Sequence, residues 1–506
     1  MISRLIYFSI LITIIAGCSS PKNDMQGENK YYREKHRLQF HFSPATSWMN
    51  DPNGLVYHSG EYHMFYQYYP DSTVWGPMHW GHAVSKDLVH WEHLPIALFP
   101  DSLGYIFSGS AVVDSNNTSG FGKEGQAPVV AIYTYHQPDM EKQGSIVFQT
   151  QGIAYSLDNG RTWSKYDSNP VLPNPGIRDF RDPKVFWLES QQKWIMSLAV
   201  KDHISFYSSG DFKNWKFESD FGAELGAHGG VWECPDLFLL GDKWILLVSI
   251  NPGGPNGGSA TQYFVGNFDG SVFTPIDTKI RWLDYGRDNY AGVTWSNITD
   301  GRRIFIGWMS NWDYGNLVPT DPWRSAMTLP RTLSLEKIGN EHVVSSKPVV
   351  EVEQLRTREL KISSSSDSQI TLNPNGENLY ELDLSIEAKT KVEPFKIILS
   401  NEQQQQLIVA YDPDNKQFTI DRDGSGDNSF SEKFNGIQEG PFDNTTAIMK
   451  LRLIVDVGSI ELFVDDGALT MTSLFFPDAP LTQAKFVQES GNIVAGSNYT
   501  LQRSWD

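Results

Sequence analysis

The sequence predicts an all-β protein, a five-bladed β-propeller followed by a C-terminal β-sandwich. Three observations carry that prediction. An aromatic-rich pair of strand-like runs recurs five times between Asp51 and Met309. Helical periodicity is nearly absent from those repeats, and from about Leu379 the chain turns to plain apolar–polar alternation. A chain of 506 residues has room for one large domain and a smaller one, each able to bury a core. The net charge of −19 comes without any basic stripe, which argues against a nucleic-acid partner and suits a neutral substrate.

The first residues have the layout of a targeting segment. A short basic start, Met1 to Arg4, precedes an apolar run from Leu5 to Ile15 that is too short to cross a bilayer as a helix. Ile15-Ala16-Gly17-Cys18 resembles a bacterial lipoprotein box. On that reading residues 1–18 are the signal, Cys18 carries the lipid, and 19–35 form a polar tether. The alternative is an ordinary secretory signal with an incidental cysteine. Cys234 is the other cysteine, so the mature chain has no disulfide framework. Membrane contact is therefore expected only through the N-terminal anchor.

From residue 36 to 336 two patterns alternate. In the first, an acid or small residue opens a strand, and a second aromatic-rich strand follows: Asp51–Tyr68, Ser108–Tyr135 (with an insertion), Asp182–Val200, Glu233–Ile250 and Tyr290–Met309. The second is Ser-x-Asp with a Trp or Phe shortly after, as in Ser85-Lys86-Asp87…Trp91, Ser156-Leu157-Asp158…Trp163, Ser209-Gly210-Asp211…Trp215 and, more weakly, Asn267-Phe268-Asp269…Phe273. Its Asp makes a tight turn and its aromatic fills the space between sheets. After the fifth copy, Ala326 to Leu333 takes its place. Units of roughly 50–75 residues with about four short strands each are the size of propeller blades. An array of separate sandwiches is disfavoured because no linkers divide the repeats. Residues 337–362 are expected to be a charged linker, and 363–506 the sandwich.

In a propeller the innermost strands line the central channel, so the residues that open them converge. Asp51, Asp182 and Glu233 occupy that position in three repeats, with Ser108 and Tyr290 in the other two and Asp288 close by. Trp48, Trp75, Phe107, Trp232 and Trp312 are expected to wall the channel. Convergent carboxyls beside aromatic faces meet the needs of glycoside hydrolysis: one carboxylate for the oxocarbenium-like centre, one acid for the leaving oxygen, and flat surfaces for sugar rings. Glu233 stands between Trp232 and Cys234, a setting expected to keep it protonated, with Cys234 either tuning it or merely filling space. Asp182 stands beside Arg181, which would favour its ionised form. His90 and His93 flank Trp91 and Glu92 without a ligand spacing and are expected to be structural. No metal site and no cofactor is implied.

Trp48-Met49-Asn50-Asp51-Pro52-Asn53-Gly54, Phe107-Ser108-Gly109-Ser110, Phe180-Arg181-Asp182-Pro183 and Trp232-Glu233-Cys234-Pro235 together resemble glycoside hydrolase family 32, the β-fructosidases. Tyr285 to Ala291 and Trp323 to Arg331 add to the likeness, which runs from about Phe42 to the C-terminus. The resemblance implies a propeller plus sandwich and a retaining hydrolase of fructans (levan or inulin), with sucrose as a further substrate. It implies Asp51 as nucleophile, Glu233 as general acid/base and Asp182 as transition-state stabiliser. Asn50, Gln67, Trp75, Phe107, Ser108, Arg181 and Trp312 would bind substrate. Asn289 stands where the family pattern has an aromatic, so the wall near Asp288 is expected to be more polar. Two other readings stay open: a fructosyltransferase using the same acids, and a non-catalytic glycan-binding lipoprotein.

Overall fold

The computed structural model describes residues 31–123, 125–489 and 491–505. The expected signal, Cys18 and most of the expected tether lie outside the described residues. Five antiparallel sheets follow one another along the chain, and their inner strands are Ser47–His58, Tyr105–Val113, Phe180–Leu188, Val231–Leu240 and Tyr290–Thr294. Each inner strand packs against the next and the fifth returns to the first, which makes the sheets blades around a common axis. Several consecutive strands are joined by short turns. Ser59 and Gly60 both have positive φ (51° and 84°), the requirement of the two-residue hairpin that links Ser47–His58 to Glu61–Tyr69.

The Ser-x-Asp repeats are the outer corners of the blades. Asp87 and Asp211 each accept the hydroxyl of the Ser two residues earlier and backbone N–H groups ahead of them. In three blades the following Trp donates its indole N–H to the carbonyl three residues back: Trp91 to Leu88, Trp163 to Gly160 and Trp215 to Phe212. The motif thus satisfies its own turn and delivers a large ring between sheets.

Where the fifth blade lacks that corner, the chain closes the ring. Trp323–Arg324 pairs in parallel with Ser47–Trp48 of blade one, and Ala326–Met327 pairs with Trp308–Met309 of blade five. Between them Ser325 takes a left-handed φ of 78°. Two short pairings therefore staple the last blade to the first.

The C-terminal domain is a sandwich of two six-stranded antiparallel sheets, one edged by Arg356–Ser365 and Leu469–Leu474, the other by Gln369–Thr371 and Gln438–Pro441. Alternation along Tyr380–Glu387 and Phe395–Ser400 sends Leu382, Leu384, Phe395 and Ile397 into one core. Blade five extends through Glu341–Pro348, and Arg356–Ser365 already belongs to the sandwich. The stretch 337–362, expected as linker, is therefore mostly strand. Its charges sit on the exposed face of half-buried strands, and sequence alone does not separate that pattern from a solvated connector. Tyr32, expected in the tether, is buried and stacks on Trp505 at 4.2 Å.

The two domains share a buried polar seam. Leu469–Leu474 runs beside residues 284–288, with Tyr285 N–H donating to Thr470 O (2.8 Å) and Asp288 N–H to Thr472 O (3.2 Å). Residue 286 has to be glycine, because a Cβ there would lie 2.0 Å from Thr472 O. Arg331 donates to Asp284 and Glu461, while Arg422 donates to Asp288, all fully buried. His41 bridges Asp456 and Glu461, one ring nitrogen 2.9 Å from each.

Candidate active site

The inner strands carry irregularities at one level. Pairing registers slip between Ile106 and Gly109, opposite Arg181–Lys184, between Glu233 and Asp236, and between Tyr290 and Val293, and blade one slips twice around Asp51. Such bulges turn side chains out of the alternating pleat. Asp182, Cys234 and Ala291 take positive φ values of 63°, 46° and 54°, so the residues just before them, Arg181, Glu233 and Tyr290, occupy equivalent positions on neighbouring blades. These three meet side by side. Arg181 donates from Nε and Nη2 to Glu233 Oε1 at 3.2 and 3.0 Å, and the Tyr290 hydroxyl donates to Glu233 Oε2.

Asp51 is held by its neighbours. Ser108 Oγ donates to Oδ2 at 2.6 Å and Asn50 Nδ2 to Oδ1 at 2.9 Å, while the Trp48 indole N–H fixes the Asn50 carbonyl at 2.7 Å. Asp182 Oδ2 accepts the backbone N–H of Cys234 at 3.1 Å. The Cys234 thiol lies 3.7 Å from Asp51 Oδ2 and 3.7 Å from Asp182 Oδ2, between the two carboxyls. Burial, and then the nearby charge of Glu233, pushes the Asp51 carboxyl up to about 6, against the pull of Ser108 and Asn50. Asp182 is likewise pushed up by burial, which outweighs the opposing pull of Arg181.

A cavity of about 260 Å³ opens over these groups. All ten residues anticipated for catalysis and substrate line it: Asp51, Asp182, Glu233, Asn50, Gln67, Trp75, Phe107, Ser108, Arg181 and Trp312. Gln67 is fixed by donating to Ile106 O at 3.0 Å, and Trp75 meets Phe107 edge to face at 6.0 Å. Further along the inner strands Lys184 and Asp236, 3.4 Å apart and buried, occupy the space between blades three, four and five, with Thr294 bonded to both.

Several expectations do not survive. Trp48 and Trp232 are fully buried and form no part of the wall; Trp48 instead backs Trp312 at 5.9 Å. Asp288 does not reach the cavity, because Arg422, Tyr314 and the N–H of Leu474 hold it in the domain seam. Asn289 is buried and donates to Asp284, so it makes no polar wall. Arg181 spends its guanidinium hydrogen bonds on Glu233 and Asp179 (2.7 Å) rather than on Asp182, although its charge still favours the ionised form of Asp182. Cys234 touches Asp51 and Asp182 rather than Glu233.

The cavity also has residues that sequence reasoning missed. His136, Glu141, Phe148, Gln149 and Asp179 complete the lining. Four of them border or lie in residues 137–148, between the second and third strands of blade two, whereas the insertion expected in that blade lay within Ser108–Tyr135. Tyr290 was legible as an inner-strand residue, but its contact with Glu233 depends on the bulge.

Comparison with known proteins places these features in context. The model of the glycosyl hydrolases family 32 N-terminal domain matches residues 41–348, and that of the family 32 C-terminal domain matches 351–502. A levanase of Bacillus subtilis (strain 168) is 45% identical across 100% of this chain and 75% of its own length. An extracellular exo-inulinase of Aspergillus awamori is 41% identical, covering 94% of this chain and 96% of the relative. A crystal structure of exo-inulinase from A. awamori superposes with a TM-score of 0.85 at 39% identity, over 94% of this chain and all of that one. A fructofuranosidase from Schwanniomyces occidentalis complexed with fructosylnystose gives 0.84 at 34%, over 94% and 99%.

Proposed function

Because the chain belongs to glycoside hydrolase family 32 and so hydrolyses β-fructofuranosyl linkages in fructans and sucrose, we propose that Asp51, Glu233 and Asp182 divide that reaction as nucleophile, acid/base and stabiliser. The observation that carries the proposal is the convergence of the three acids in one cavity, with one thiol in contact with two of them. Asp51 attacks C2 of the fructosyl unit as the C2–O bond breaks, and Glu233 gives its proton to the departing oxygen. The product is a fructosyl ester of Asp51. Glu233, now a carboxylate, takes a proton from water, whose oxygen attacks C2 and releases Asp51 and fructose.

Arg181 and Tyr290 hold both oxygens of Glu233, so one carboxyl can serve both steps without moving. Asp182, beneath Cys234 N–H, is the acceptor for fructosyl hydroxyls as charge builds at C2. Asn50, Gln67 and Ser108 supply the remaining polar contacts, while Trp75, Phe107 and Trp312 supply flat faces. The pocket is small, which suits the end of a fructan chain and therefore exo-action.

Fresh product followed by NMR before mutarotation tests the mechanism: β-fructose first supports it, and α-fructose first removes Asp51 from the covalent step. Fructose as the sole early product on inulin or levan supports exo-action, whereas a ladder of oligomers refutes it. The protein is exported, in keeping with its extracellular relatives. The Ile15-Ala16-Gly17-Cys18 box makes lipid on Cys18 its anchor. An unmodified mature N-terminus beyond Cys18, found by mass spectrometry, would replace anchoring with simple secretion.

A further inference from the structure

One wall of the cavity comes from outside the blade repeat. Between the second and third strands of blade two the chain inserts residues 137–148, which carry a short helix, Pro138–Lys142. Glu141 on that helix and Phe148 at the end of the insert both line the cavity. The insert is tied to the catalytic groups by a relay of side chains. Gln149 accepts Phe180 N–H at 2.9 Å through its carbonyl, which turns its NH2 towards His136 Nδ1 at 3.3 Å. Burial drives the His136 imidazolium down to about 4, so the ring is neutral, and with Nδ1 accepting from Gln149 its proton sits on Nε2. His136 Nε2 lies 3.3 Å from Glu141 Oε2. The His136 ring also lies flat on Phe107, with centroids 4.2 Å apart and planes 4° from parallel.

From the other side, Arg178 meets Glu141 Oε1 at 3.2 Å and lies over the Phe148 ring at 5.3 Å. A surface glutamate with no task would be free to swing. Here two partners from two blades hold it at the cavity edge, with 37% of the side chain still exposed. A carboxylate has about four acceptor positions, and the Arg178 hydrogen bond uses one of them. Trp75 and Trp312, both partly exposed, line the same cavity. A carboxylate and indole rings lining one cleft suit a sugar, whose hydroxyls donate while its C–H face packs on a ring.

We propose that the blade-two insert recognises the sugar unit on the leaving side of the scissile bond, with Glu141 accepting hydrogen bonds from its hydroxyls. This rests on the hydrolase reading above and extends it from the fructosyl unit to its neighbour. His136 and Arg178 act as positioning residues. The ligand is a neutral hexose unit, fructosyl in a fructan or glucosyl in sucrose.

The test compares substrates with and without that unit. Glu141→Gln and Glu141→Ala are assayed on sucrose, on the two fructobioses linked as in inulin and in levan, and on methyl β-fructofuranoside, whose leaving group is methanol. Loss of about tenfold in kcat/KM on at least one sugar-linked substrate, with methyl β-fructofuranoside unchanged within about twofold, supports the proposal. Equal losses on both kinds overturn it, because they mean a distorted pocket; so does no loss on any. Turnover of methyl β-fructofuranoside by each variant shows that it is folded. If wild-type protein cleaves none of the four, the hydrolase reading itself has failed, a result separate from those above.

Discussion

Asp51→Asn is expected to abolish turnover and at the same time stabilise the protein at neutral pH. Raising a carboxyl from 3.8 to about 6 means that the folded state binds its proton roughly a hundredfold more tightly than the unfolded chain. At about 1.4 kcal/mol per tenfold, keeping Asp51 ionised costs about 3 kcal/mol at pH 7. Asp51 borders the cavity, and water there reduces the figure to about 1–2 kcal/mol. The amide removes that cost and keeps the local bonds: Asn50 can still donate to its carbonyl, and the Ser108 hydroxyl can rotate to accept from its NH2.

The sign follows from the raised folded value. The penalty begins as pH rises past 3.8, where the unfolded carboxyl ionises, and is complete above about 6, where the folded one does. The gain in Asn should therefore shrink to about a fifth at pH 4. Thermal melts of both proteins at pH 7 and pH 4 measure it, with a shift of roughly 1–3 °C expected at pH 7 for a chain this long. Equal gains at the two pH values would refute the reasoning, as would no gain at pH 7.

Ionisation of Asp51 should also set the acid limb of kcat/KM near pH 6, and Ser108→Ala, which removes a donor to the carboxylate, should move that limb upward in a pH–rate profile. Tyr290→Phe leaves one oxygen of Glu233 unheld and is expected to lower kcat by roughly tenfold or more with KM little changed, as steady-state kinetics would show. Arg331→Met strands Asp284 and Glu461 in the domain seam and should cost about 3–5 kcal/mol in denaturant unfolding, more than any single ion pair at the surface. His41 tests the same seam by pH. Burial alone would lower it, but Asp456 and Glu461 raise it to about 9, so its contribution is fully present below 6.5 and lost as pH rises through about 9. Wild type should lose melting temperature over that range, and His41→Gln should flatten the loss.

The blades were legible because each repeats a local solution: Asp87 and Asp211 close their own corners, and Trp91 and Trp215 bond their own turns. Such motifs need no knowledge of the rest of the chain. The three acids were legible for a related reason, as they open inner strands and stand in recognisable strings. What sequence missed depends on direction. Arg181 reaches to Glu233 on a neighbouring blade from a strand whose pleat is broken at Asp182, and the Cys234 thiol, also at a positive φ, lies against two carboxyls far away in the chain. Trp48 and Trp232 stand near Asp51 and Glu233 in sequence, but their rings are buried in the cores between blades. The linker from 337 to 362 was misjudged because charge on a half-exposed strand looks like solvation.

The zippered contact between Leu469–Leu474 and residues 284–288 bears on how this protein can be divided. In the sequence the two domains meet at a border near residue 350 and look like parts that could be separated or exchanged. In the folded molecule that border has no independence. Cutting there would strip Asp288 of Arg422, Arg331 of Glu461 and Asp284 of Thr472, and would free the loop that leads straight into Tyr290 and so to Glu233. The sandwich therefore behaves as a structural organ of the propeller, inherited with it as one cooperative unit, and a graft onto a foreign propeller would have to bring the 284–288 loop with it.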